Sequence, residues 1–311
     1  MENWLKELKE ELPGILEGER LGRYSTMGVG GPARAVFVSR NFEELSEAVF
    51  TAKKLKIKFR VIGNGSNIIF PDELYDGLII INKANNIYID KMSGRVIAES
   101  GAPLSKLILE SAAAGLSGLE KLYGVPGTVG GAIVANAGTH GVAIADYLKT
   151  ATIITGEEKI LSCKNKWFDF GYRKSKLKYK KVNSPVVVLN AIFQFQRRKN
   201  EGILDDISKA KLIRQTKQPL GEKTCGSVFR NPAGTDNISG DQITYAAGYL
   251  LEQAGAKRMS VGGAKVSKIH ANWIVNSGSA TAEDIKGLVK KMKEAVKEKF
   301  SIELEEEIEF L

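Results

Sequence analysis

The sequence predicts an α+β fold in two domains, residues 1–200 and 201–311, and three observations carry that expectation. Between Ala33 and Asn82, apolar runs of strand length alternate with a stretch of helical period, the pattern of a sheet covered by helices. From Asn86 onward short strand-like runs dominate, so the first domain divides into two subdomains near residue 83. A polar hinge, RRKNEG (Arg197–Gly202), then separates the last of these strands from a run of helices.

Taken in order, the chain opens on MENWLKELKEELPGIL, where Trp4, Leu5, Leu8 and Leu12 recur at helical spacing among charges. This is an amphipathic helix, without the basic start and unbroken apolar stretch of a signal peptide. ARAVFV (Ala33–Val38) is the first strand, FEELSEAVFTAKKL (Phe42–Leu55) a helix, and KFRVI (Lys58–Ile62) and GLIIIN (Gly77–Asn82) are further strands. NIYID and RVIAES follow as short strands, and APLSKLILESAAAG as a helix. An uncharged glycine-rich segment comes next, YGVPGTVGGAIVANAG (Tyr123–Gly138), and then the strands KTATIIT, EKILS and VVVLNAIFQFQ. Beyond the hinge lie a helix (Ile203–Thr216), a second glycine-containing loop, the helix QITYAAGYLLEQAG and the strand WIVN. A basic helix places Ile285, Leu288, Val289, Met292 and Val296 at helical spacing, and a terminal strand spans Glu303–Phe310.

Composition narrows the function. An apolar fraction of 43% and a charged fraction of 26% over 311 residues describe a soluble globular protein with a sizeable core. No apolar run reaches the roughly 18 residues of a membrane span, so the expected location is the cytoplasm. Two cysteines, Cys163 and Cys225, and two histidines, His140 and His270, argue against a disulfide framework and a transition-metal site. The net charge of +9 comes partly from the lysines of KGLVKKMKEAVKEK, but Glu294 and Glu298 interrupt them, as on a solvated helix face. A basic surface of this kind suits an anionic small molecule better than nucleic acid.

The glycines ask for a ligand. Gly221-Glu222-Lys223-Thr224 lacks the Gly-Lys pair of a phosphate-binding P-loop, and MGVGGPA (Met27–Ala33) runs into Pro32 and a strand where a dinucleotide fingerprint needs a helix. VIGNGSNIIF is better placed: a strand delivers the chain into Gly63-Asn64-Gly65-Ser66-Asn67, whose N–H groups can form an anion-binding nest. Together with Tyr123–Gly138 this makes two bare loops on one domain, able to clasp a long cofactor containing a diphosphate.

GNGSN followed by GVPGTVGGAIVANAG resembles the FAD-binding module of vanillyl-alcohol-oxidase-type flavoproteins. FDFGYRKS (Phe168–Ser175), GSVFRNP (Gly226–Pro232) and ELEEEIEF (Glu303–Phe310) narrow the likeness. In this order, from about Tyr24 to the C-terminus, the motifs resemble the UDP-N-acetylenolpyruvoylglucosamine reductase family of peptidoglycan synthesis. The resemblance implies a two-lobed FAD-binding module in residues 1–200 and an α+β substrate-binding domain carrying a catalytic strand in 201–311. It implies that bound FAD relays hydride from NADPH to the substrate's enolpyruvyl double bond. Ser66 stands where covalent-flavin relatives often have His, so the FAD is expected to be held without a covalent bond.

The same resemblance assigns residues. Gly63, Asn64, Gly65, Ser66, Asn67, Gly124, Pro126, Gly127, Gly130, Gly131, Ala132, Asn136 and Gly138 are expected at the cofactor. Arg173 is the expected cation for the substrate carboxylate and the enolate, because a guanidinium donates two parallel hydrogen bonds. Ser227 matches the proton donor, and Glu307 the acid or stabiliser of the terminal strand, with Glu306, which stands where the family usually has Pro and falls on the strand's apolar parity, as the second choice. Tyr172, Arg214, Lys217, Gln218, Arg230 and Asn231 are the expected substrate contacts. The short span from Arg173 to Phe195 leaves no room for the Tyr-bearing loop of one subgroup, implying the shorter subtype. Two other readings are an oxidase of a hydroxylated small molecule on the same module and a basic nucleic-acid-binding protein.

Overall fold

The computed structural model describes residues 3–178, 185–232 and 245–311, and the chain resolves into two compact units. The first comprises Met1–Glu19, Ala33–Asn64 and Asp76–Lys211. Its β-α-β start is as expected: a three-stranded sheet in the order Ala33–Ser39, Tyr75–Asn82, Phe59–Ile62. Phe59 to Ile62 pair in parallel with Leu78 to Ile81, and the central strand is buried almost throughout, which is why GLIIIN reads as an unbroken apolar run. The helix Phe42–Lys54 covers this sheet; Asn41 caps it by accepting from Glu44 N at 2.8 Å, with acids in its first turn and lysines in its last. Leu8 of the first helix, Asn3–Glu11, and Leu12 just after it enter the same core beside Leu45, Val49 and Ile80.

The short strands of the middle segment form a five-stranded antiparallel sheet, in the order Ile160–Lys164, Leu148–Ile154, Val187–Gln194, Arg95–Glu99, Ile87–Asp90. Leu107, Ile133, Phe168 and Phe193 share its core with the helices Leu104–Ala113 and Val129–Ala135.

The hinge is folded differently from expectation. Gln196–Arg197 pair with Leu116–Ser117, Arg198 N donates to Gly115 O at 3.0 Å, and a helix begins at Asn200. Ile203 and Ile207 of that helix are buried in the first unit's core, so the contact boundary falls after Lys211. The polar side chains of RRKNEG face solvent while its main chain pairs with Leu116 at Arg197 and bonds Gly115 at Arg198, so polarity alone misplaces the break.

The second unit gathers Arg20–Pro32, Gly65–Tyr75 and Leu212–Leu311. Two early segments join it because their apolar residues are needed there: Met27, Val29 and Ile69 are buried with Cys225, Phe229, Leu251 and Leu288. Gly31 N donates to Pro71 O at 2.7 Å, and a Cβ at Gly31 would lie 1.9 Å from Asp72 O, so only glycine allows that approach. A four-stranded antiparallel sheet runs in the order Thr224–Ser227, Trp273–Asn276, Ala264–Val266, Ser260–Val261. Against it packs the helix Ala282–Phe300, burying the five apolar residues named from periodicity. The described part of the expected QITYAAGYLLEQAG helix is Ala247–Gln253; Gln242–Thr244 lie outside the described residues, as do 179–181 of the basic run RKSKLKYKK. The terminal segment forms a ladder only at Glu309–Phe310, in parallel with Ile68–Ile69, plus a bridge from Glu306 to Phe229. Among the described residues no helix is long and apolar enough to cross a membrane.

The start of Ala282–Phe300 is capped twice. Thr281 Oγ1 accepts from Asp284 N at 3.0 Å and the Asp284 carboxylate accepts from Thr281 N at 3.1 Å, while Asp72 accepts from Ala282 N at 2.8 Å. Thr281→Ala is expected to lower the unfolding free energy by about 1 kcal/mol in a urea titration, with turnover unchanged. No change at all would mean that Asp72 satisfies this helix end alone.

Candidate active site

In the first unit the glycine segment divides by purpose. A Cβ on Gly63 would sit 2.4 Å from Thr128 Oγ1, one on Gly130 2.9 Å from Ser100 Cβ, and one on Gly138 2.9 Å from Val142 O. These three glycines are demanded by close packing of the protein on itself. Gly124 and Gly127 have φ of 81° and 128°, so backbone conformation selects them. Gly131 is different: it is exposed, and a Cβ there would meet only Thr128 Oγ1, at 3.6 Å. Ala132 is packed in the apolar core, and its main chain is engaged as well, its N–H donating to Thr128 O and its O accepting from Ala137 N, both at 2.8 Å.

The N–H groups at the start of helix Val129–Ala135 are taken by protein, Val129 N by Ala102 O at 2.9 Å and Gly130 N by Ser100 O at 2.7 Å. The GNGSN loop is the opposite case. Among the described residues, the N–H groups from Gly63 to Asn67 meet no main-chain or side-chain acceptor, the condition for an anion nest. Asn64 Nδ2 reaches Gly127 O at 3.5 Å, which ties this loop to the exposed Pro126 turn.

Asn136 supplies a second indication of a ligand. It ends the short helix in the left-handed region, φ 44°, and its Nδ2 donates to Gly171 O at 2.8 Å. Its Oδ1 is buried with no hydrogen-bond partner among the described residues. An unmet buried acceptor costs about 1–3 kcal/mol, so this atom calls for a donor from outside the protein. A flavin nucleotide fits the set: its phosphates suit the free amides, and its ring N–H and ribityl hydroxyls are donors.

Gly171 opens the turn that carries Arg173. Gly171 and Lys174 exchange main-chain hydrogen bonds of 3.0 and 3.1 Å, with Tyr172 and Arg173 at the tip and Arg173 at φ 50°. Its guanidinium lies over the Tyr172 ring, 5.4 Å from the centroid, and the residue is half-buried. Ser175 is wholly buried and its Oγ donates to Val134 O at 2.6 Å. Asn136 and Ser175 thus bracket the arginine and hold its turn to the glycine segment. The motif Tyr-Arg-x-Ser contained Ser175, but a hydroxyl inside a basic run gave no sign of being buried.

In the second unit Ser227 ends its strand opposite Trp273, after Gly226 at φ 80° and a lapse in the ladder's register. Glu307 N donates to Val228 O at 2.8 Å, which brings Glu307 to the residue next to Ser227. Asn67 Nδ2 donates to Glu307 O at 2.9 Å and Asn67 O accepts from Glu309 N at 2.9 Å. The side chain of Asn67, expected at the cofactor, therefore holds the glutamate segment. Glu306 turns the other way and pairs with Lys293 at 3.0 Å, while Glu305 pairs with Arg230 at 3.4 Å. Glu306 is thus paired with a lysine, and the main chain of Glu307 adjoins that of Ser227 through Val228.

The other expected residues form two groups. Arg214, Lys217 and Gln218 sit at the C-terminal end of helix Asn200–Lys217, with Arg214 Nη1 donating to Gln218 Oε1 at 3.2 Å. Arg230 and Asn231 continue from Ser227, and Asn231 Oδ1 caps the helix Ala247–Gln253 by accepting from Ala247 N at 3.1 Å. A groove of about 1060 Å³ beside Arg230 and Lys293 is lined by five basic and five acidic side chains, and so carries no net charge to hold a diphosphate.

Burial pushes the Cys225 thiol up to about 12, so no thiolate forms near neutrality and the residue acts as packing. Native protein at pH 8 is expected to leave Cys225 unalkylated by iodoacetamide, read by peptide mass, and unfolded protein to react. Alkylation before unfolding would place this thiol in a different setting. No cluster of His, Cys, Asp or Glu able to hold a metal occurs among the described residues.

Known proteins resemble this chain over its whole length. Residues 33–164 match the model of an FAD binding domain, and 218–311 that of the UDP-N-acetylenolpyruvoylglucosamine reductase C-terminal domain. The UDP-N-acetylenolpyruvoylglucosamine reductase 1 of Bacillus cereus is 36% identical over 312 residues, covering 100% of this chain and 99% of its own. That of Carboxydothermus hydrogenoformans is 38% identical over 98% of each chain. The crystal structure of the Thermus caldophilus reductase superposes with a TM-score of 0.76 at 33% identity, over 94% of this chain and 97% of its own.

Proposed function

The chain belongs to the UDP-N-acetylenolpyruvoylglucosamine reductase family, and we propose from that membership how its own residues divide the work. The protein is an FAD-containing oxidoreductase that uses NADPH to reduce UDP-N-acetylglucosamine enolpyruvate to UDP-N-acetylmuramate for peptidoglycan. When bound, FAD supplies the relay of hydride from NADPH to the enolpyruvyl double bond.

Everything else falls to side chains. Hydride arriving at the methylene carbon leaves negative charge beside the carboxylate, and Arg173 stabilises that enolate with a forked pair of N–H donors. Ser227 gives its proton to the charged carbon. Glu307, the acid or stabiliser of the terminal strand, supports that transfer from the neighbouring segment. Tyr172, Arg214, Lys217, Gln218, Arg230 and Asn231 bind the UDP-sugar. Gly63–Asn67, Gly124, Pro126, Gly127, Gly131 and Asn136 would hold the FAD, without a covalent bond because Ser66 offers no attachment. The cofactor module runs to Lys211, after which the contact boundary falls, and the substrate domain is built on Leu212–Leu311. The cell's soluble phase is the proposed location, with small molecules rather than nucleic acid or membrane as partners.

The observation that carries this reading is the main-chain link between Ser227 and Glu307 through Val228, in a chain that matches reductases end to end. A visible spectrum of the purified protein tests it. Flavin absorption that passes wholly into solution on acid precipitation is expected; pigment remaining on the precipitated chain would contradict the non-covalent assignment.

A further inference from the structure

Ser227 has one side-chain rotor, so its hydroxyl goes where the main chain at 227–228 sends it. The strand ladder reaches that placement only at its last pair: pairing with Trp273–Asn276 lapses between Thr224 and Ser227, where Gly226 at φ 80° bends the chain, and resumes at Ser227 opposite Trp273. What holds the segment from there on is Asn272, which is 4% exposed. Its main-chain O accepts from Val228 N at 2.9 Å. Its side-chain Oδ1 accepts from Phe229 N at 3.0 Å, and its Nδ2 donates to Phe229 O at 2.8 Å. The amide side chain thereby supplies both partners that a neighbouring strand residue would give to Phe229.

The hold extends to the carboxylate. Val228 O accepts from Glu307 N, so Ser227 and Glu307 take their relative position from one residue, and Asn272 fixes that residue. Behind Asn272, its own N–H donates to His270 Nδ1 at 3.1 Å. Burial, with the nearby charge of Lys257, holds that imidazole below its ordinary range, which favours the neutral ring that can accept. At this depth water cannot replace the lost bonds, so a defect at Asn272 must move the main chain.

We propose that Asn272 is a positioning residue that sets the proton-donating Ser227 against Glu307, an inference that rests on the roles assigned to those two residues. It touches neither substrate nor cofactor; it acts through Val228 and Phe229. Its effect therefore falls on the step that needs a proton and spares the step that does not.

The test separates these steps in flavin-loaded enzyme by stopped-flow absorbance. Asn272→Asp keeps the shape and the acceptor but turns the donor into an oxygen facing Phe229 O. NADPH bleaching of the flavin should proceed at the wild-type rate, while recovery of colour on adding UDP-N-acetylglucosamine enolpyruvate slows about tenfold to a hundredfold, the scale of a 1 Å misplacement. In the same variant without substrates, amide exchange at Val228, Phe229 and Glu307 should accelerate. If Asn272→Asp fails to load flavin, Asn272→Ser, which removes both side-chain bonds without adding charge, is read by the same criteria. Equal slowing of both steps in whichever variant loads, or an unchanged second step, overturns the proposal. Ser227→Ala run beside it distinguishes the failures: if that variant is slow and Asn272→Asp is not, only the positioning inference falls, whereas a normal Ser227→Ala removes the premise as well.

Discussion

Ser227→Ala is expected to slow the second half-reaction, colour recovery on adding the enolpyruvyl substrate, by about 10²–10⁴-fold, the usual contribution of a positioned acid. Bleaching by NADPH should stay within about twofold of wild type, because that step needs no proton from this serine. A hydroxyl is a weak acid and would be useless against most bases. On the proposed assignment it suffices because the charge formed beside the carboxylate is strongly basic and the Val228 link sets the main chain of Ser227 beside that of Glu307. Substrate affinity should change little, since a hydroxyl deletion leaves Arg230 and Asn231 in place. If both half-reactions fell together, the serine would be part of the fold or of cofactor binding rather than the proton donor.

The second large effect belongs to Arg173. Arg173→Lys keeps the charge and should still cost roughly 10²–10³-fold in the same half-reaction, because an ammonium cannot present two parallel donors to a carboxylate or enolate. Arg173→Gly carries the argument further. The residue sits at φ 50°, a conformation that glycine adopts freely and other residues only with strain. Arg173→Gly is therefore expected to unfold no earlier than wild type, and by up to about 1 kcal/mol later, while losing at least as much activity as Arg173→Lys. Activity and stability moving in opposite directions is the mark of strain kept for function. A glycine variant that is both inactive and markedly less stable would show instead that the guanidinium holds the fold.

How much of this was legible beforehand depended on range. Signals contained in one segment read correctly: the apolar period of Ala282–Phe300, the buried strand GLIIIN, and the strand-turn context of GNGSN. The discontinuous second unit did not, because nothing in Arg20–Pro32 or Gly65–Tyr75 announces that Met27, Val29 and Ile69 find their core two hundred residues further on. Polarity misled at Arg197–Gly202, whose main chain is hydrogen-bonded although its side chains are wet. Within the site, the motif pointed to Glu307 while leaving Glu306 open, and the proposal of Glu307 draws on two contacts no motif carries, the Lys293 pairing of Glu306 and the Val228 link of Glu307. Asn67 and Asn272 were unreadable for a plainer reason. An asparagine in a turn looks the same whether its amide faces solvent, a ligand or the main chain of a distant segment.

Anaerobic single turnover is the most direct test of the whole account. Protein carrying its flavin is bleached with one equivalent of NADPH in the absence of oxygen, and UDP-N-acetylglucosamine enolpyruvate is then added. The account predicts full return of the oxidised spectrum with one equivalent of UDP-N-acetylmuramate formed. A flavin that stays bleached in the presence of that substrate, yet regains its colour rapidly once oxygen is admitted, would contradict it and mark an oxidase built on the same module.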